Sequence, residues 1–152
     1  MRLQELLQPE SILCHFEASD KWVAIDAMLE HIGSREAIEA ELFGRLKEAV
    51  LARERSMSTG MEKGIAIPHA AVDGLEKILA CMAILPQGLA FESIDASPAQ
   101  LIVLLLIPPH EKLLHIRTLA EVAKVLGNEP VRQALFEAST NQEAWHALNE
   151  TT

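Results

Sequence analysis

The stretch Gln100-Leu101-Ile102-Val103-Leu104-Leu105-Leu106-Ile107-Pro108 is apolar without alternation. A strand that faces water on one side alternates polar and apolar residues, so an unbroken aliphatic run of this length reads as a central strand covered on both faces. Two covering layers are then required, and helical patterns on either side of the run can supply them. Asp20 to Ile32 reads as a helix with Ser19 or Asp20 as N-cap and Gly33 as its stop. A second helix is expected from a Ser34 N-cap to about Arg55, with Ile38, Leu42, Leu46, Ala49 and Val50 on one face. Beyond His110 the pattern predicts helices over Leu113 to Leu126, halted by Gly127-Asn128, then Pro130 to Ala138, then Asn141 to Asn149. Shorter strands are expected over Ser11 to Glu17, Gly64 to Pro68 and Lys77 to Leu85, with Leu89-Ala90-Phe91 as a further short one. Helices interspersed with strands give an α/β fold, a three-layer α/β/α sandwich around a mixed sheet of four to five strands. A chain of 152 residues fits one such domain, spanning 1–152.

Charge narrows the partners. Acidic side chains outnumber basic ones 22 to 13, for a formal charge of −9, which repels phosphate backbones and anionic membrane surfaces. Nucleic-acid binding is therefore not expected, and an acidic shell suits a basic protein partner instead. The longest apolar run, Leu101 to Pro109, falls far short of the roughly 20 residues a membrane helix needs, and the amino terminus lacks the pattern of a leader peptide. A cytoplasmic protein with no membrane insertion is expected. Cys14 and Cys81 stand alone in apolar stretches and read as small buried hydrophobes rather than as a disulfide or metal pair.

Candidate chemistry sits at the ends of the apolar segments. In Gly64-Ile65-Ala66-Ile67-Pro68-His69-Ala70, a short strand stops at a proline, which lacks a backbone donor and fixes φ just before His69. A stiffly held imidazole suits a nucleophile. If this strand runs parallel to the one ending Ile107-Pro108-Pro109-His110, both histidine segments reach the same edge of the sheet, where open α/β sheets place ligands. His115 shares a helical face with Leu119, Val122 and Leu126 and should point inward. Helical spacing also carries the stripe of Leu42, Leu46, Ala49 and Val50 onto Arg53, so a cation occupies a place where an apolar residue is expected. Arg53 either interacts with the negative end of its own helix dipole or is a fixed cation beside His69, able to bind phosphoryl oxygens. His15, His31 and His146 belong to no motif, and Glu92 and Asp95 read as solvated turn residues.

Other chemistries lack their signatures. Gly60-Met61-Glu62-Lys63-Gly64 is not a phosphate-binding P-loop, and no dinucleotide fingerprint occurs. His110 and His115 are five residues apart, off the i, i+4 spacing of a helical zinc pair, and no Cys-x-x-Cys accompanies them. No Gly-x-Ser-x-Gly elbow is present. Neither a metal nor a cofactor is expected.

Arg53-Glu54, Ser58-Thr59-Gly60, Gly64 to His69, Phe91 to Asp95, and His115 within Leu114-His115-Ile116-Arg117-Thr118-Leu119-Ala120-Glu121-Val122-Ala123 form an ordered set over nearly the whole chain. In this set the sequence resembles the enzyme IIA domains of the mannitol/fructose class in the bacterial phosphoenolpyruvate-dependent phosphotransferase system, including the nitrogen-regulatory branch. The resemblance implies that His69 is the phosphorylated histidine, with Arg53 and His115 beside it. It implies further that His69 takes phosphate from the phosphohistidine of a histidine-containing phosphocarrier protein, without ATP or metal. The phosphate would pass to a IIB domain, or its presence would signal to a kinase, transporter or regulator. An alternative output is phosphorylation-dependent protein contact with no onward transfer to a sugar. Two departures stand out: Ala70 where relatives usually carry glycine, and a compact His110-Glu111-Lys112 where relatives often carry a longer acidic insertion.

Overall fold

The computed structural model describes residues 2–149. The expected domain also takes in residues 1 and 150–152, which lie outside the described residues. In chain order the elements are a single helical turn α1 (Leu3–Leu6), β1 (Ile12–Leu13), α2 (Lys21–Arg35), α3 (Ala40–Ser56), β2 (Ile65–Ala66), β3 (His69–Ala71), β4 (Leu79–Leu89), β5 (Ala99–Ile107), α4 (Lys112–Leu126), α5 (Glu129–Glu137) and α6 (Asn141–Ala147).

The aliphatic run is the sheet's axis. β5 pairs antiparallel with β4 from Leu79↔Leu106 to Leu89↔Ala99, and parallel on its other flank with β2 and then β3. β1 closes the far side parallel to β4, so the five strands form one mixed sheet in the order β1-β4-β5-β2, with β3 following β2 along β5. Side chains alternate across a strand, so β5 feeds two cores at once. Leu101, Val103, Leu105 and Ile107 pack with Val122, Leu126 and Leu135 of α4 and α5. Ile102, Leu104 and Leu106 pack with Ile25, Met28, Leu29, Leu46 and Val50 of α2 and α3. Each of these fully buried aliphatic side chains contributes about 1.5–3 kcal/mol of transfer free energy. The three-layer α/β/α arrangement follows from that double burial.

Local details depart from the sequence expectations in instructive ways. Asp20 is the N-cap of α2, accepting from the Val23 amide at 2.9 Å, but Gly33 does not stop the helix, which continues to Arg35. A Cβ on Gly33 would lie 2.7 Å from the Phe43 ring, so this glycine serves the close approach of α3. Consequently Ser34 lies inside α2, and α3 starts only after Glu39. The strand expected over Ser11 to Glu17 shrinks to Ile12–Leu13, because Ser11 ends a 3-10 turn and His15 takes a positive φ of 52°. Pro68 does not end the strand pairing at His69. It interrupts it, separating β2 from β3, after which His69, Ala70 and Ala71 pair with Leu105, Leu106 and Ile107. Leu89 extends β4 past an irregularity in register between Ile84 and Leu89, rather than starting a new strand.

Candidate functional site

His69 is the first residue of β3, half-buried, on a backbone tied down by the Leu105 amide, which donates to the Pro68 carbonyl at 3.0 Å. Its Nδ1 lies 2.8 Å from the Ile67 carbonyl oxygen. A carbonyl only accepts, so Nδ1 carries the hydrogen, and in the neutral ring Nε2 keeps its lone pair. Burial is the main cause that pushes the His69 pKa below the ordinary histidine value. The Ile67 carbonyl opposes that shift, the neighbouring Arg53 and His115 add to it, and the Glu54 carboxylate opposes it. A ring so placed is neutral at neutral pH.

His115 comes from the first turns of α4, its amide donating to the Glu111 carbonyl at 2.9 Å. The two imidazoles meet edge to face, with centroids 5.3 Å apart and planes at 80°. Arg53 stands in the last turn of α3, where its Nη1 donates to the Met57 carbonyl at 2.7 Å. That contact satisfies a carbonyl just past the helix end, and Arg53 and His69 line one cavity of about 220 Å³ together with Ser58, Thr59, Met61 and Leu119. Arg53 thus stands at the end of its own helix and on the wall of the cavity that His69 also lines. The structure brings His69, His115 and Arg53 to one place. His110 stays out of it, its side chain exposed and 3.9 Å from Glu111.

Beneath the cavity lies a polar network that the sequence pattern does not assemble. Glu54 is 2 % exposed. Its Oε2 accepts from the Thr59 amide at 2.9 Å and from the Lys21 ammonium at 3.1 Å, and its Oε1 accepts from the Thr59 hydroxyl at 2.5 Å. Lys21, 5 % exposed, also pairs with Glu92 at 3.0 Å, so Glu92 is not the freely solvated turn residue expected. Its carboxylate is exposed, yet one oxygen is bound. Asp95 does stay in an exposed turn, and it ties two loops together by accepting from the Ser97 amide at 3.0 Å and the Lys63 amide at 3.1 Å. Glu54 was open to discovery, since steps of four from Leu46 and Val50 lead straight to it. Lys21 gave no comparable signal. Among the described residues, no three His, Cys, Asp or Glu side chains converge in a way that could hold a metal ion, and no helix is long and apolar enough to cross a membrane. Cys14 and Cys81 are free thiols, and burial pushes that of Cys81 up to about 12.

A neutral imidazole tethered at one nitrogen, with a guanidinium and a second imidazole close by, combines a nucleophilic nitrogen with donors for an anionic group. Comparison with known proteins agrees. The family described as "Phosphoenolpyruvate-dependent sugar phosphotransferase system, EIIA 2" matches residues 5–151. A nitrogen regulatory protein of Bradyrhizobium diazoefficiens is 32% identical over 97% of this chain and 94% of that protein. The fructose-specific EIIABC component of Bacillus subtilis is 29% identical over 99% of this chain but only 23% of its own length. In three dimensions the crystal structure of nitrogen regulatory protein IIA-Ntr from Neisseria meningitidis superposes with a TM-score of 0.85 at 23% identity, covering 96% of this chain and 98% of that one. The chain belongs to the EIIA type 2 family of the phosphoenolpyruvate-dependent sugar phosphotransferase system.

Proposed function

We propose that residues 1–152 form a single phosphotransfer module that accepts a phosphoryl group on Nε2 of His69 from the phosphohistidine of a histidine-containing phosphocarrier protein, with Arg53 and His115 stabilising the transfer. The observation that carries this reading is the Nδ1 to Ile67 contact, because it leaves Nε2 as the nitrogen with a lone pair. In the step itself the Nε2 lone pair forms a new N–P bond as the donor's N–P bond breaks, and the released electron pair returns to the donor ring. The proton stays on Nδ1, which goes on donating to the Ile67 carbonyl, and that contact stabilises the positive charge that develops on the phosphorylated ring. A loose phosphoryl transition state asks little of the protein beyond alignment and charge stabilisation. Arg53 offers a forked donor to the equatorial oxygens, and His115 a ring N–H from the other side. Loss of one such donor costs on the order of 3 kcal/mol in the barrier. The chemistry needs neither ATP nor a metal.

The test is incubation with phosphoenolpyruvate, the first enzyme of the system and the phosphocarrier, followed by intact-mass measurement. A gain of one phosphate that disappears in mild acid and is absent from His69→Ala is expected. Acid-stable label, or label retained by His69→Ala, overturns the assignment.

A second reading concerns the output of the phosphorylated form. Similarity over 94% of a nitrogen regulatory protein favours signalling through phosphorylation-dependent contact with a kinase, transporter or regulator, with transfer to a IIB domain as the other output. Pull-downs with the phosphorylated and unphosphorylated forms separate the two.

A further inference from the structure

Lys21 occupies an unfavourable place for a lysine. It is the first residue of α2, at the positive end of the helix dipole, and it is almost wholly removed from water. An apolar side chain there would cost no desolvation, and replacing a buried ion pair by packed apolar groups is commonly neutral or stabilising. Stability alone therefore does not account for the ammonium. Its contacts do. Besides the two carboxylates, it lies 5.0 Å from the centre of the Trp22 ring and 5.2 Å from that of Phe91. From Glu54 the contacts continue without a break: Glu54 holds Thr59 at both amide and hydroxyl, the Thr59 carbonyl accepts from the Ile67 amide at 3.2 Å, and the Ile67 carbonyl accepts from Nδ1 of His69. The other arm, Glu92, belongs to the same loop as Ile94, which lines the cavity.

We propose that Lys21 is a positioning residue for phosphoryl transfer at His69, acting through Glu54, Thr59 and the Ile67 carbonyl to fix the ring and its tautomer. The proposal rests on the carrier reading given above. Without the ammonium, the Glu54 carboxylate is buried beside Thr59 with no cation against it. The groups around it are the Glu92 carboxylate, released from Lys21, and the neutral His69 ring across the site. The Glu54 carboxylate then draws toward water and releases Thr59, loosening the Ile67 carbonyl.

The experiment uses the whole chain as wild type, Lys21→Met and the double variant Lys21→Met/Glu54→Gln. Two readouts are taken at neutral pH. These are the ¹⁵N chemical shifts of the His69 ring in the unphosphorylated protein, and the single-turnover rate of phosphate uptake from the phosphorylated carrier. Lys21→Met is expected to lose about tenfold or more in rate, with the carrier concentration for half-maximal rate unchanged. Its ring shifts move from the Nδ1–H tautomer toward a mixture. The double variant has no carboxylate left without a cation, so its tautomer and rate return toward those of the wild type. If Lys21→Met is too unstable to purify, Lys21→Gln takes its place with the same expectations. Wild-type tautomer in the single variant overturns the proposal, and so does a double variant no faster than the single one. Failure of the wild type to take phosphate sinks the carrier reading instead, while the tautomer comparison still decides the role of Lys21.

Discussion

His69 matters at the residue scale because one of its ring nitrogens is occupied and the other is free. Its folded pKa lies below the ordinary value of about 6.5, so the native state favours the neutral ring and the unfolded chain binds the proton first. The stability linked to this residue is therefore present above about pH 6.5 and lost as pH falls through the folded pKa. An NMR titration should place the His69 midpoint below that of an unstructured histidine, and His69→Gln should flatten the acid side of the stability profile. Arg53→Ala and His115→Ala should keep the fold and each slow phosphate uptake by about a hundredfold or more; an unchanged rate for Arg53→Ala would leave it only the role of closing α3. All three side chains stand out in the sequence, because each is a polar residue on an apolar stripe or at the end of an apolar strand. The residues beneath them are harder to see. Lys21 meets Glu54 33 positions along the chain, and no local pattern announces a pair that only tertiary packing creates.

Among the elements, β5 and α4 follow directly from pattern, since a double-sided aliphatic run and a stripe ended by glycine leave few alternatives. The segment Gly33 to Glu39 does not. Gly33 matches a helix stop by local rules, and packing against Phe43 overrides them, so the break between α2 and α3 moves several residues on. Gly60 poses the same question near the site. A Cβ there would lie 2.9 Å from the Phe91 carbonyl oxygen and 2.9 Å from the Ser93 Cα, and backbone cannot step aside as a side chain can. Gly60→Ala should therefore destabilise the protein by about 1–3 kcal/mol in urea unfolding, and should part the 57–63 loop from the 91–95 loop. Asp20→Ala, which removes the α2 cap next to Lys21, should cost about 1 kcal/mol in the same measurement.

For the whole molecule, the net charge of −9 bears on how quickly the proposed donor, if basic, finds the site. Long-range attraction is screened within about 8 Å at physiological ionic strength. The second-order rate of phosphate uptake should fall steadily as salt is raised, while the rate within the bound complex stays level; a salt-independent second-order rate would remove the electrostatic contribution. The sheet has a consequence of another kind. Its margins are a two-residue strand on one side and, on the other, two short strands divided by Pro68. A proline has no N–H to offer, so the margin made by β2 and β3 presents no long row of open donors to template a stray strand. The same kink that introduces the histidine thus guards a protein built for repeated encounters against fibrous self-association.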